Sequence, residues 1–336
     1  MNTQHYVLVT GATGFIGAHV VDALLKHSIR VRGATRSLEK GNKMLAARPQ
    51  HAPYLDFVQI DDFSQPDVFT EAVKGGITGV IHVASPFSYT IESNLNDLIL
   101  PAISGTTSIL KACASESSIR RLVLTSSFAS VLTSSHPEIY TASIWNPLSY
   151  EEGIDPATSP IIAYRASKKF AELAAWDFIR DQKPHFDLVT LCPPMTFGPV
   201  AHPISTPEEL NVSNKGLWDI ACGGDLPEAR VPFWIDVRDL AEMHVQAFLR
   251  REAGGKRYIP VCKERFSYEK AAEVVNDWFP WARGKVKRAG KSGEGMEYGI
   301  DWETAERGLG VTCRGFEETV VDLVQQVQGW VDRKGV

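Results

Sequence analysis

Cysteines, charge excess and long apolar runs are what this sequence has least of, and each shortage excludes something. Its 5 cysteines, Cys113, Cys192, Cys222, Cys262 and Cys313, are odd in number and scattered. They have neither the CxxC spacing of a zinc site nor the even set of a disulfide framework. No stretch approaches the ~20 apolar residues that span a bilayer. The first five residues run into an apolar strand without the basic, apolar and small-residue regions of a secretory leader. The formal charge of −5 and an isoelectric point near 6.0 disfavour a nucleic-acid surface or an anionic membrane patch. The absences together suggest a cytoplasmic, metal-free chain, a monomer or homodimer, with neither nucleic acid nor membrane as partner. With 44% hydrophobic and 22% charged residues over 336 positions, it has material for one large domain, or a large domain with a smaller lobe.

The first half alternates short β-rich runs with helical periodicity. The runs at 6–10, 29–35, 57–60, 79–84, 121–126 and 186–192 predict strands, and 14–26, 66–73, 96–114 and 164–180 predict helices. Such alternation predicts an α/β fold, a doubly wound parallel sheet with helices on both faces. Val7-Leu8-Val9 and Val80-Ile81 lack polar alternation, as strands buried on both faces do. After Cys192 prolines and glycines cluster, and order returns with a helix near 237–250 and a strand near 257–261. The expected division is a Rossmann-type dinucleotide domain over 1–193 plus about 235–262, with a smaller, mostly helical substrate lobe from 194–234 plus 263–336.

Thr10-Gly11-Ala12-Thr13-Gly14-Phe15-Ile16-Gly17 follows the first strand and opens the first helix. Glycines at this spacing allow a tight turn, close backbone approach to a pyrophosphate, and close packing of helix on sheet. Free N–H groups and the positive helix end then favour phosphate. Thr10, Gly11, Thr13, Gly14, Phe15 and Ile16 are the candidate contacts. A glycine-rich turn without a ligand is the plain alternative, against which stand the strand before and the helix after.

Enzymes that use NAD usually carry an acid at the end of the second strand for the ribose hydroxyl. Here that position reads Gly33-Ala34-Thr35-Arg36, with Lys40 one helical turn on. A guanidinium there can fork onto a 2′-phosphate, which points to NADP(H). Solvated surface cations are the competing reading for both residues. Asp62, followed by Phe63, ends the third strand region, where a carboxylate can accept from an adenine amino group. Asp61, or a plain turn, competes for that role.

Tyr164 and Lys168 stand four residues apart, on one face if helical. A phenol alone titrates near pH 10, and a nearby ammonium favours its ionised form, making it a better acid–base group. Ser127, ending the fifth strand, can hydrogen-bond a substrate carbonyl. A Tyr-x-x-x-Lys pair is common by chance; its position after a Thr-Ser-Ser strand end and a phosphate loop gives it weight.

These stretches, with Arg36-Ser37, His82-Val83-Ala84-Ser85-Pro86-Phe87, Pro101-Ala102, Leu124-Thr125-Ser126-Ser127, 193–199 and Asp236-Val237-Arg238-Asp239, resemble the extended short-chain dehydrogenase/reductase superfamily. They are most similar to its NADPH-dependent aldehyde and ketone reductase branch, related to dihydroflavonol and cinnamoyl-CoA reductases. The resemblance covers residues 7 to about 250. It implies that Ser127 is catalytic, that Tyr164 is the general acid, and that Lys168 binds the nicotinamide ribose while tuning Tyr164. It places Ala84, Ser85, Pro86 and Thr125 beside the cofactor, and Pro193 and Thr196 at its nicotinamide end. The chain departs from cinnamoyl-CoA reductases around the tyrosine, reading Pro160-Ile161-Ile162-Ala163-Tyr164.

The implied reaction is hydride transfer to a small aldehyde or ketone, giving an alcohol. Phe87, Ser127, Pro194, Phe197, Leu217 and Trp234 are the candidate substrate pocket, and the apolar members serve equally well as core. Nucleotide-sugar epimerases and dehydratases share the Ser/Tyr/Lys set, but usually hold NAD and need a diphosphate site. A non-catalytic NADPH-binding protein would tend to lose one of the three, and all are present here.

Overall fold

The computed structural model describes residues 5–85, 91–287 and 298–334. In chain order the strands are β1 (Tyr6–Thr10), β2 (Arg30–Thr35), β3 (Leu55–Gln59), β4 (Gly79–His82), β5 (Arg121–Thr125), β6 (Ile139–Tyr140), β7 (Asp187–Leu191), β8 (Met195–Phe197), β9 (Trp234–Asp236), β10 (Arg257–Tyr258) and β11 (Gly299–Ile300). Seven of them form one parallel sheet in the order β10-β7-β5-β4-β1-β2-β3. The chain builds outward from β1 to β3, then crosses back to β4 and builds the other way. The strand order therefore reverses between β1 and β4, where such sheets open a crevice at their carboxyl ends.

The helices are α1 (Phe15–Lys26), α2 (Leu38–Ala46), α3 (Leu100–Ser115), α4 (Tyr150–Ile154), α5 (Pro160–Gln182), α6 (Val212–Ala221), α7 (Val237–Leu249), α8 (Tyr268–Trp278), α9 (Glu303–Leu309) and α10 (Phe316–Lys334). Alternate residues of β1 show how they cover the sheet. Val7 and Val9 join a core with α1 and α7, while Tyr6 and Leu8 join one with α3 and α5. The first core continues without a break into α6, α8 and α10, through Phe197, Leu217, Trp234 and Phe316. The parallel pair of β8 and β9 sits at that junction.

The structure differs from the sequence pattern in several places. Residues 66–73 form turns instead of a helix, and Asp67 there has φ of 58°, a left-handed geometry that a helix cannot accommodate. The stretch Asn94–Ser115 is long and apolar enough to cross a bilayer by length and composition only, and 56% of its most apolar window is buried inside the fold, as in a core helix. It begins with a π-helical turn, Asn94–Ile99, and α3 then packs along α5. Cys262 and Cys313, 51 positions apart, come together with Asp239, their ligand-type atoms all within 4.8 Å. The Asp239 carboxylate is also held by the backbone N–H and guanidinium of Arg314.

Arg121 fastens the sheet to α7. It is buried at the start of β5 and grips Asp187 of β7 through Nε (2.6 Å) and Nη2 (2.7 Å). It also donates to the carbonyls of Ala247 and Phe248 in the last turn of α7, and to those of Arg250 and Arg251, which the Ala253 and Gly254 N–H groups share. Arg121→Leu takes this donor from Asp187 and from the Ala247 and Phe248 carbonyls together. The expected cost is about 3 kcal/mol, at the low end for a broken buried pair because Asp187 is partly exposed. It should appear as a lower denaturation midpoint with unaltered turnover per folded molecule. An unchanged midpoint would refute the role.

Candidate active site

The glycine loop is shaped by steric necessity. Gly11 has φ of 66°, and a Cβ there would stand 3.1 Å from the Ala84 backbone. A Cβ on Gly17 would lie 2.1 Å from the Gly11 carbonyl oxygen, so the turn closes only with glycine. The amide of Gly14 donates to Gly11 O (3.0 Å), and Gly14 then starts α1 with no side-chain cap and no acid in the first turn. The helix start thus offers N–H groups and a positive dipole end to an anion.

A cavity of about 980 Å³ opens over this loop at the reversal between β1 and β4. Gly11, Thr13, Gly14, Phe15, Ile16, Arg36, Lys40, Asp62, Phe63, Ala84, Ser85, Thr125 and Lys168 line it, as do His82, Ser126, Glu172 and His202. Arg36 and Lys40 are exposed at its rim, and no acid ends β2. Thr13 Oγ1 and Thr35 Oγ1 bond at 2.9 Å, tying the loop to the end of β2. A cradle that any Cβ would fill, an uncapped helix start and two rim cations fit a dinucleotide with an extra phosphate.

Other residues of the expected site take different places. Thr10 is completely buried; its Oγ1 bonds His82 Nδ1 (2.9 Å) and accepts the Ala84 N–H (3.2 Å), so it braces the cavity wall from behind. Asp62 turns its carboxylate onto Ser64 and Gln65, and the Ser64 hydroxyl above all holds it below its ordinary range. Thr125 Oγ1 bonds His244 Nε2 at 2.7 Å. His244 donates from Nδ1 to Leu240 O (2.8 Å), so Nε2 accepts from the threonine, and burial pushes this histidine down to about 4. Pro193 is buried and its carbonyl accepts the Phe128 N–H, while Thr196 donates to Pro194 O (3.2 Å). Pro86 and Phe87 lie outside the described residues.

Three expected pocket residues need correction. Phe197, Leu217 and Trp234 are each 0% exposed, packed in the core shared with α8 and α10, and none lines the cavity. Apolar residues after β7 are drawn first into the core they share with α1 and α7.

Helix α5 supplies the chemistry. Its first turn is Pro160, and spacing by four puts Tyr164, Lys168 and Glu172 on one face. Lys168 is buried, with Nζ 5.7 Å from the centre of the Tyr164 ring. Burial pushes its ammonium down to about 8, against the opposing pull of Glu172. Burial also pushes His82 down to about 3, helped by the charge on Lys168. Ser127 lies two residues past β5 and caps the short turn Phe128–Ser130, its Oγ accepting the Ala129 N–H at 3.1 Å. The hydroxyl proton is left for another acceptor.

Two features joining these residues escaped the sequence reading. Asn146, almost fully buried, donates from Nδ2 to Ala129 O (2.7 Å) and Arg165 O (3.0 Å), and its N–H reaches Ser130 O. It thereby couples the Ser127 turn to the turn of α5 that holds Tyr164. Glu172 pairs with Arg257 at 2.8 Å and accepts from Ser126 (2.6 Å) and Ser130 (2.8 Å). The spacing of Glu172 from Lys168 was a usable signal. An isolated asparagine and an arginine in a short strand offer none.

The chain is 33% identical over 344 residues to the NADPH-dependent methylglyoxal reductase GRE2 of Saccharomyces cerevisiae, covering 96% of this chain and 97% of that one. It is 34% identical to the ketoreductase azaE of Aspergillus niger, over 95% and 96% of the two chains. The crystal structure of yeast methylglyoxal/isovaleraldehyde reductase Gre2 complexed with NADPH superposes with a TM-score of 0.86 at 32% identity, covering 98% and 99%. Residues 7–259, which hold the loop, the sheet and the Ser/Tyr/Lys set, match the model of one family, and the chain belongs to it: the NAD dependent epimerase/dehydratase family.

Proposed function

We propose that this chain is an NADPH-dependent reductase that converts a small aldehyde or ketone to an alcohol, with Ser127, Tyr164 and Lys168 as its catalytic group. The observation that carries the reading is one cavity with the glycine loop and rim cations at one end and Lys168 at the other, on the helix face it shares with Tyr164. The methylglyoxal reductase and ketoreductase names of its relatives support the reaction class. The formal charge of −5 supports an enzyme without nucleic-acid or anionic-membrane partners, and the scattered cysteines support a cytoplasmic one.

Bound in the cavity, NADPH supplies the hydride. The glycine loop and the start of α1 hold its pyrophosphate, and Arg36 with Lys40 meets the 2′-phosphate. Ser127, fixed by its turn, donates to the carbonyl oxygen as negative charge gathers there. Tyr164 gives the proton that makes the alcohol, and the Lys168 ammonium favours the phenolate left behind. Ala84 and Ser85 wall the cavity beside β4.

Tyr164→Phe keeps the ring and removes the transferable proton. It should fold, bind NADPH, and lose about 10²–10⁴-fold in kcat; near-normal turnover on the best substrate would remove Tyr164 from the mechanism.

Arg36→Ala tests the cofactor end. Hydrogen bonds to charged groups contribute about 1.5–3 kcal/mol, or about 10- to 150-fold in affinity, and exposure pulls the effect towards the lower half. The KM for NADPH should rise about 10-fold with kcat little changed, because the contact lies far from the reacting carbon. Kinetics with NADH should stay nearly as they are. Equal losses with both cofactors would show that Arg36 supports the fold instead.

A further inference from the structure

The most densely bonded charge near the candidate site has no part in the chemistry above. Glu172 is fully buried, one helical turn beyond Lys168 on the same face of α5. Everything that touches its carboxylate donates to it: Arg257 Nε (2.8 Å) and Nη2 (3.2 Å), Ser126 Oγ (2.6 Å), Ser130 Oγ (2.8 Å) and the Cys192 thiol (3.5 Å). Only an ionised carboxylate satisfies such a set, since an amide must present N–H groups to donors. Burial alone pushes this carboxyl up, and Arg257 with the serine hydroxyls more than reverses it, so it stays charged.

The donors lie on segments that frame the site. Ser126 adjoins Ser127, and Ser130 Oγ lies 2.8 Å from both Ser127 O and the Glu172 carboxylate, its single proton serving one of them at a time. Cys192 adjoins Pro193 at the end of β7. Lys168 faces Glu172 and Cys192 on this side, with Tyr164 one turn before it and His82 at the end of β4. Arg257 is paired with the carboxylate, and the groups that favour the charged form of Lys168 are Glu172 first and then Cys192. His82 and Cys192 are neutral near pH 7, the one pushed well down and the other pushed up to about 12, both chiefly by burial.

We infer that Glu172 is a positioning residue for the reaction: clamped by Arg257, Ser126 and Ser130, its carboxylate keeps the Lys168 ammonium charged in a dry cavity and fixes the Ser127 turn from beneath. The inference rests on the assignment of Lys168 to the catalytic group. A purely structural bond between α5 and β10 would stabilise the fold and leave the ionisation of Lys168 alone. A charge role would not. Losing Glu172 removes the nearby negative charge, so Lys168 sheds its proton at lower pH and activity fails at lower pH.

The test is the pH dependence of kcat and kcat/KM for NADPH-supported carbonyl reduction by the full chain. Wild type should lose activity as pH rises through about 8. In Glu172→Gln that alkaline limb should move down by roughly one pH unit, with kcat falling more than the carbonyl KM rises. Glu172→Asp should return the limb towards wild type. Ser130→Ala removes a hydrogen bond and keeps the charge, so it should lower the thermal midpoint without moving the limb. If Glu172→Gln does not fold, Glu172→Gln/Arg257→Met removes both buried charges, a change proteins often tolerate, and should move the limb the same way. A limb unmoved in the foldable variant, or moved equally by Ser130→Ala, overturns the inference. Lys168→Met separates the two levels: a wild-type alkaline limb there would mean that Lys168 itself was misassigned.

Discussion

Inside the protein, between α5 and the last strand of the sheet, a guanidinium meets a carboxylate with both side chains out of water. Removing two charges from water costs several kcal/mol each, and their attraction offsets this only if the remaining hydrogen-bonding capacity is also met. Here it is. The five N–H bonds of Arg257 find five acceptors: both Glu172 oxygens, Ser130 Oγ, and the carbonyls of Ala142 and Ile144. Its flat face lies 3.8 Å over the Trp145 ring. One pair of charges therefore sets the relative positions of the Ser127 turn, the 142–145 segment, α5, the end of β7 and β10. Three of these five carry or adjoin a residue of the proposed site, which is why a contact between two side chains bears on the arrangement of all three catalytic candidates.

The other end of the cavity obeys a different constraint. No charged side chain shapes the phosphate loop; close packing does, with Gly11 against Ala84 and Gly17 against the Gly11 carbonyl. This leaves the start of α1 without a side-chain cap, with the Gly14 N–H turned back onto Gly11 O and the positive end of the helix following it. Positive character then comes from backbone and from Arg36 and Lys40 at the rim, within a chain of net charge −5. The acidic total and the anion-binding cavity are compatible because the field that matters is local.

Much of this was legible in the sequence. The sheet strands came from unalternated apolar runs, which only a doubly covered parallel sheet explains, and the glycine loop was readable because strand and helix flanked it. Tyr164 and Lys168 were readable for a similar reason, since helical spacing converts directly into a shared face. What failed depended on contacts distant in sequence. Residues 66–73 have a helical pattern, but Asp67 adopts a left-handed conformation in a run of turns. Asn146 and Arg257 act through partners 16 to 127 positions away, and nothing local marks them. Cys262 and Cys313 looked isolated because 51 residues separate two positions that the fold makes neighbours.

The misreading of Phe197, Leu217 and Trp234 says the most about how the molecule is built. An apolar side chain near a site gains more by complete burial than by lining an open cavity, so these aromatics go first into the continuous core. Trp234 even meets its one polar requirement inside the core, donating Nε1 to Glu264 O at 2.7 Å. The lobe core is continuous with the α1 and α7 face of the sheet, so β8 and β9 are held by packing on both sides. The loop from Pro193 to Met195 is thus anchored at one end by the sheet and at the other by the lobe. Selectivity for one carbonyl compound over another then falls to side chains at the edges of that loop and of the cavity. These can vary without disturbing either core, while the glycine loop, α5 and the buried ion pair cannot.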